Sequence, residues 1–280
     1  MKLETLLDGL VFGEGPRWRG DRLWLSDMHA HTVLTVDLSG RREDVLHVEG
    51  KPSGLGWLPD GRLLVVSMND RRLLRREASG GLALHADLAA LAPGACNDMV
   101  VDGVGRAFVG NFGFDFEHGE KPRTTCVVRV DPDGSARVAA GELRFPNGSV
   151  ITGDGRTLVV GESFGNCLTA FTIGPDGSLS GRREWARLEG ATPDGICLDA
   201  ENAIWVASPL SNELLRVREG GEVAERVPTG RPAIACMLGG PDRRTLFALT
   251  ADGFRAEETL RSRSARVEIV RVDVPGAGFP

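Results

Sequence analysis

Four oxygen-bearing side chains, Glu14, Asn97, Asn147 and Asp194, open short turns that each lead into an apolar run. Ser53 and Ile234 or Ala235 hold the corresponding places in two further turns. Successive members of this series lie 39, 44, 50, 47 and about 40 residues apart, which is the period of a solenoid or propeller blade. In a closed ring of such units, equivalent positions point at one axis. A Glu, an Asp and one or two Asn amides would converge there as a hard, all-oxygen donor set with two negative charges. That set suits Ca²⁺, Mg²⁺ or Mn²⁺ better than a structural zinc site, which takes Cys or His. Three or four protein ligands leave coordination positions open, as a catalytic metal requires.

The elements that must position these residues repeat as well. GDRLWLSD (20–27), GRLLVVSM (61–68), GRAFVGNF (105–112), GRTLVVGE (155–162), NAIWVASP (202–209) and RRTLFALT (243–250) share one pattern. A turn leads into four or five apolar residues that end in small or polar ones. A further strand follows each, as in HTVLTVDL and TCVVRVD. Continuous apolar runs of this length are expected where sheets pack face to face. Pro-Asp-Gly at 59–61, 132–134 and 175–177 supplies tight hairpin turns, since Asp and Gly tolerate positive φ. In Pro193-Asp194-Gly195 the same tripeptide lies at the opening of a unit instead. Position within the repeat, not the tripeptide, separates ligand from turn.

No amphipathic helix of ten residues is evident, and Leu82–Leu91 reads as at most one helical turn inside a loop. The fold class expected is therefore all-β, a six-bladed β-propeller with a central metal site. Residues 1–280 form one domain without a linker. Lys2–Gly9 supplies a strand to the blade built from the C-terminal residues and so closes the ring.

A net charge of −6 argues against a nucleic-acid surface, which needs clustered Lys and Arg. The pairs Arg71–Arg72, Arg75–Arg76 and Arg182–Arg183 read as charged blade edges. MKLETLLDGL at the start carries acidic residues and no long apolar stretch, unlike a secretory signal, and no run approaches the roughly 20 apolar residues that span a bilayer. Five scattered cysteines, an odd number without CxxC spacing, read as reduced thiols in a cytoplasmic protein. Cys96, beside Asn97, reads as a small buried thiol. The five histidines do not gather, and neither a GxSxG elbow nor a phosphate-binding glycine loop is present.

In order along the chain, GEGPRW (13–18), Asn97-Asp98, Pro146-Asn147-Gly148 and Pro193-Asp194-Gly195 resemble the signatures of the senescence-marker-protein/gluconolactonase/luciferin-regenerating-enzyme family. The resemblance extends over essentially the whole chain. It implies a six-bladed propeller with one divalent cation in the central tunnel, Ca²⁺ first, with Mn²⁺, Mg²⁺ or Zn²⁺ as alternatives. Glu14, Asn147 and Asp194 would be direct ligands, Asn97 would touch substrate or complete the metal shell, and Asp194 would also be the acid/base residue of a lactone hydrolase. Sugar-lactonase members tend to place an Arg two residues before that Asn, where this chain has Ala95. Downstream, Phe112, Phe114 and Phe116 fall in one loop, and Phe145 precedes Asn147. These rings either cap the core or form an apolar wall against a small-molecule substrate, with Phe112, Phe114 and Phe145 the substrate-contacting candidates.

Loss of a cationic donor and gain of aromatics favour a lactone less polar than a sugar lactone. The expected reaction is metal-assisted ester hydrolysis, with the water activated by the cation or by Asp194. Two alternatives use the same residues. One is a calcium- or small-molecule-binding propeller without turnover. The other is an esterase, phosphotriesterase or carbonyl rearrangement on the same platform.

Overall fold

The computed structural model describes residues 2–278, and in it each sequence unit becomes one four-stranded antiparallel sheet. The innermost strands are Gly13–Arg19, Pro52–Trp57, Cys96–Val101, Pro146–Ile151, Ile196–Leu198 and Ala233–Gly239. Neighbouring ones pack against each other around the ring. Second strands such as Leu63–Ser67 and Ile204–Ser208 are buried at every residue, because adjacent blades cover both of their faces. Continuous apolar runs, rather than alternation, are what double burial demands.

Five blades, numbered in chain order, take their four strands consecutively. The sixth takes three from the end of the chain and one from its start. Glu4–Leu10 pairs antiparallel with Ala265–Arg271, with Glu4 opposite Ile269 and Leu10 opposite Ala265. Aromatic pairs bridge the gaps between blades. Trp24 meets Trp57 edge-on at 5.5 Å between blades 1 and 2, and Trp18 stacks on Phe247 at 5.4 Å between blades 1 and 6. Each such pair contributes roughly 0.5–1.5 kcal/mol beyond its buried area.

Two sequence expectations need correction. Leu82–Asp87, expected as loop with a helical turn, is the outermost strand of blade 2, with Leu73 opposite Ala86 and Arg72 opposite Asp87. Leu and Ala suit a helix intrinsically, but the open edge of Arg72–Arg76 offers a hydrogen-bonding partner that overrides the propensity. For the same reason Arg72, Arg75 and Arg76 occupy a covered third strand rather than an edge. Arg182 and Arg183 do lie on an outermost strand, Leu179–Arg187.

Antiparallel pairing decides which loops share a face with the opening residues. Gly13 lies opposite Asp27, Cys96 opposite Asn111, and Pro146 opposite Glu162. The connections after each second strand therefore gather at the mouth where the innermost strands begin. Two of them are long. The first, residues 112–124, carries the Phe-rich segment. The second, residues 251–264, contains the seven-residue helix Ala256–Ser262. No helix among the described residues is long and apolar enough to cross a membrane.

Candidate active site

Glu14, Asn97 and Asn147 are each the second residue of an innermost strand, and Asp194 lies two residues before Ile196–Leu198. Adjacent blades approach closely here. The Gly148 N–H donates to the Asp194 carbonyl at 3.2 Å, and a Cβ on Gly148 would sit 2.5 Å from that same oxygen. Only glycine fits. The opening residue thus stands at the axis because the residue after it has no side chain to hold the blades apart.

The charges at this mouth are buried and largely of one sign. Burial raises the Glu14 carboxyl well above the usual range, and Asp194 and Asp98 push it further. The Gly15 N–H, 3.1 Å from Oε2, and Arg17 act in the opposite sense. Asp194 is raised to about 8, first by burial and then by Asp98, against the lowering influence of the Asn147 amide. Asp194 and Asn147 lie on adjoining backbone segments, since the Gly148 N–H meets the Asp194 carbonyl.

Asn147 has a determined orientation. Its Nδ2 donates to Ser163 Oγ at 3.1 Å, and that hydroxyl gives its own proton to the Pro193 carbonyl at 2.7 Å. A flipped amide would set an oxygen against a hydroxyl with no proton left to offer. Asn147 Oδ1 consequently faces away, buried and without a hydrogen-bond partner, as does Asp194 Oδ1. Leaving such an atom unsatisfied costs roughly 1–3 kcal/mol. Two orphaned oxygens beside a second raised carboxyl fit a hard divalent cation, which would accept both lone pairs and offset both charges. Among the described residues no three or more His, Cys, Asp or Glu side chains form a group that could hold a metal ion by themselves. The candidate set is two carboxyls and an amide.

Asn97 is buried, and its Oδ1 accepts from Ser53 Oγ at a long 3.5 Å. Cys96 beside it is enclosed, and burial pushes its thiol up to about 12. Phe112, Phe114 and Phe145 belong to a five-ring cluster with Phe116 and Phe164. Phe112 stacks on Phe145 at 4.4 Å and Phe164 sits 4.9 Å from it. Phe114 and Phe145 are buried within the cluster, whereas Phe116 and Phe164 are 47% and 42% exposed. The solvent-facing aromatic surface thus comes mainly from Phe116, a ring of the expected wall though not one of the substrate-contacting candidates, and from Phe164. Phe145 holds φ of 61°, a region that bulky residues rarely enter. Its carbonyl accepts from the Ser163 N–H at 3.1 Å, so Ser163 braces both Phe145 and Asn147.

Asp98 and Arg17 stand within the motifs quoted above but were given no role there, and neither Ser163 nor Phe164 was named. A signal existed for Asp98. Gly follows the opening residue at 15, 54, 148 and 195, and in blade 3 an Asp replaces it. Ser163 and Phe164 follow the second strand of blade 4, a place whose nearness to Asn147 depends on strand pairing. Two surface cavities have linings that include none of Glu14, Asn97, Asn147 and Asp194. One, of about 390 Å³, includes Trp18, Met237 and Arg243, and the other, of about 530 Å³, includes Arg182, Arg187 and Glu142.

Residues 12–252 match the family described as SMP-30/Gluconolactonase/LRE-like region. The chain is 27% identical over 282 residues to a 6-deoxy-6-sulfogluconolactonase of Pseudomonas putida, covering 96% of this chain and 94% of that one. It is 26% identical over 277 residues to regucalcin of Gallus gallus, covering 92% and 89%. Among solved structures it is similar to a calcium-binding regucalcin of Agrobacterium tumefaciens, with a TM-score of 0.83 at 22% identity. That likeness covers 99% of this chain and 95% of the other.

Proposed function

Because the chain belongs to the SMP-30/gluconolactonase/LRE-like family, we propose that it is a divalent-cation-dependent hydrolase that opens a lactone less polar than a sugar lactone. The observation that carries the cation is the pair of buried, partnerless oxygens on Asn147 and Asp194. Glu14, Asn147 and Asp194 would hold the ion, with Ca²⁺ the first candidate for an all-oxygen set. When bound, such an ion supplies a Lewis acid that polarises a carbonyl and stabilises the developing oxyanion.

The chain's own groups do the rest. Asp194 orients a water toward the carbonyl carbon and takes up its proton as the new C–O bond forms. The ring C–O bond then breaks, and the same proton goes to the departing alkoxide oxygen, leaving a hydroxy acid. Asn97 supplies an amide that positions the substrate. Phe112, Phe116 and Phe164 present the apolar wall, and Phe114 and Phe145 support it from within. Ala95, where sugar-lactonase relatives tend to carry a cationic donor, leaves hydroxyl groups without a partner and supports the less polar substrate.

The test is acid release from a panel of γ- and δ-lactones, alkyl- and aryl-substituted or polyhydroxylated, with Ca²⁺, Mn²⁺, Mg²⁺ or Zn²⁺ or with chelator. Cation-dependent opening that favours the apolar members is expected. Equal or better turnover of polyhydroxylated lactones would overturn the substrate class. Turnover unaffected by chelator would overturn the role of the ion.

A further inference from the structure

The connection 112–124 leaves blade 3 at the mouth, where Asn111 lies opposite Cys96, and its base is fixed within that blade. The Phe112 N–H donates to the Ala95 carbonyl at 2.9 Å, and Arg123 Nε donates to the Gly113 carbonyl at 2.7 Å. The tip closes on itself. The Asp115 N–H donates to Glu120 Oε2 at 2.7 Å, and the Glu120 N–H donates to the Asp115 carbonyl at 2.9 Å. Consecutive residues of this tip then reach in opposite directions. Phe116 turns to blade 4, its ring 5.7 Å from Phe145 and 6.3 Å from Phe164. Glu117 turns to blade 2, where its Oε1 accepts from Lys51 Nζ at 2.6 Å. Lys51 immediately precedes the innermost strand of that blade.

Among the described residues, this is the one hydrogen bond or ion pair that ties 112–124 to another blade. The Lys51 side chain is 12% exposed and that of Glu117 is 57% exposed. The ammonium is therefore the fixed partner, and the carboxylate is brought to it by the tip. A largely buried ammonium is costly without an anion to meet it. Lys51 also holds φ of 67°, where glycine would be at ease, so its side chain is present in spite of a backbone strain.

We propose that Lys51 is a positioning residue that sets the substrate preference. Through Glu117 it seats the tip so that Phe116 stays in the aromatic cluster and the exposed wall of Phe116 and Phe164 stays assembled. This rests on the reading of that wall as the apolar surface for the substrate. Without the ammonium the tip keeps its own hydrogen bonds, but Phe116 is held by ring contacts alone. A lactone that uses the wall then binds less well, and one that does not is indifferent. Neither Lys51 nor Glu117 hydrogen-bonds to Glu14, Asn97, Asn147 or Asp194, so the chemical step keeps its rate.

The experiment compares the original full-length chain with Lys51→Met, Glu117→Gln, the two combined, and Lys51→Arg. Hydrogen exchange read by mass spectrometry follows residues 112–124 without substrate. KM and kcat are measured with Ca²⁺ on aryl-substituted and polyhydroxylated lactones. In Lys51→Met, exchange across 112–124 quickens and KM for the aryl lactone rises, each by about fivefold with kcat held, the upper range for an ion pair at a solvent edge. Glu117→Gln, at an exposed position, acts in the same direction. The combined variant is no worse than Lys51→Met, because residues that act through one contact are not additive. Lys51→Arg keeps the original values. Unchanged exchange in both single variants, additive effects in the combined one, or an equal rise in KM for both lactone types would overturn the inference. Quickened exchange in a protein whose original chain opens no lactone would instead overturn the substrate reading, and with it the preference assigned to Lys51, leaving only the tether.

Discussion

His29 Nδ1 and Thr259 Oγ1 lie 2.7 Å apart although 230 residues separate them in sequence. The contact fastens the helix-bearing 251–264 connection of blade 6 to the turn after the second strand of blade 1. Phe12 packs on the His29 ring at 4.9 Å. Burial lowers the His29 pKa to about 4, with Lys51 acting in the same direction.

A pH dependence follows from that depressed value. The folded chain favours neutral His29, so this stabilisation is complete above the unfolded value of 6.5 and is lost as pH falls toward 4. Its size is on the order of 3 kcal/mol from the shift. Thermal melts between pH 8 and 4 should show Tm falling across this window. His29→Gln should be less stable at pH 7 yet show a shallower fall. A slope unchanged in the variant would assign the loss to other groups.

Glu14 and Asp194 titrate in the opposite sense. Their folded pKa values are raised, so without a cation their contribution is present at low pH. It is lost as pH rises, for Asp194 through about 8. A bound dication relieves the repulsion. Calcium should therefore raise Tm more at pH 8.5 than at pH 5, measured by scanning calorimetry with chelated protein as reference. An equal rise at both values would count against these carboxyls as ligands.

Asp194→Asn keeps the shape and removes the base. Turnover should fall by about 10²–10⁴-fold, the usual contribution of a positioned acid/base group. The chelated variant should also melt higher at pH 8.5, because a buried charge is gone. Full turnover in a variant that still binds Ca²⁺ would remove Asp194 from the reaction.

Ser163→Ala tests the brace on Asn147. Without its hydrogen-bond partner the amide is free to rotate, and cation affinity should drop by about 10–100-fold, as for other partners that orient a ligand. An affinity within twofold of the original would show that Asn147 orients without help.

Phe116→Ala and Phe164→Ala act on exposed rings, so each should shift Tm by little. The effect should fall on KM for alkyl- and aryl-substituted lactones, raised several-fold with kcat held, while a polyhydroxylated lactone is unaffected. Equal changes for both substrate types would show that these rings do not select for apolarity.

Much of the architecture was legible in the residues, for a local reason. Each blade is a short chain segment whose apolar runs and turn tripeptides are contiguous, so six repeats announce six sheets. The opening residues Glu14, Asn97, Asn147 and Asp194 were legible because repetition fixes their register relative to those runs. The family resemblance rested on the same positions.

Contacts between blades were not legible. Leu82–Asp87 became a strand only because a neighbouring edge was available to pair with it. Phe164 joined the aromatic cluster, and Ser163 reached Asn147, through pairing across Pro146 and Glu162. The ion pair between Arg17 and Asp98 spans 81 positions and skips a blade. The order of residues determined what each blade is and which side chain begins it. Ring closure decided which of those side chains meet, because it brings distant segments into a shared, solvent-poor centre where partners and charges count for most.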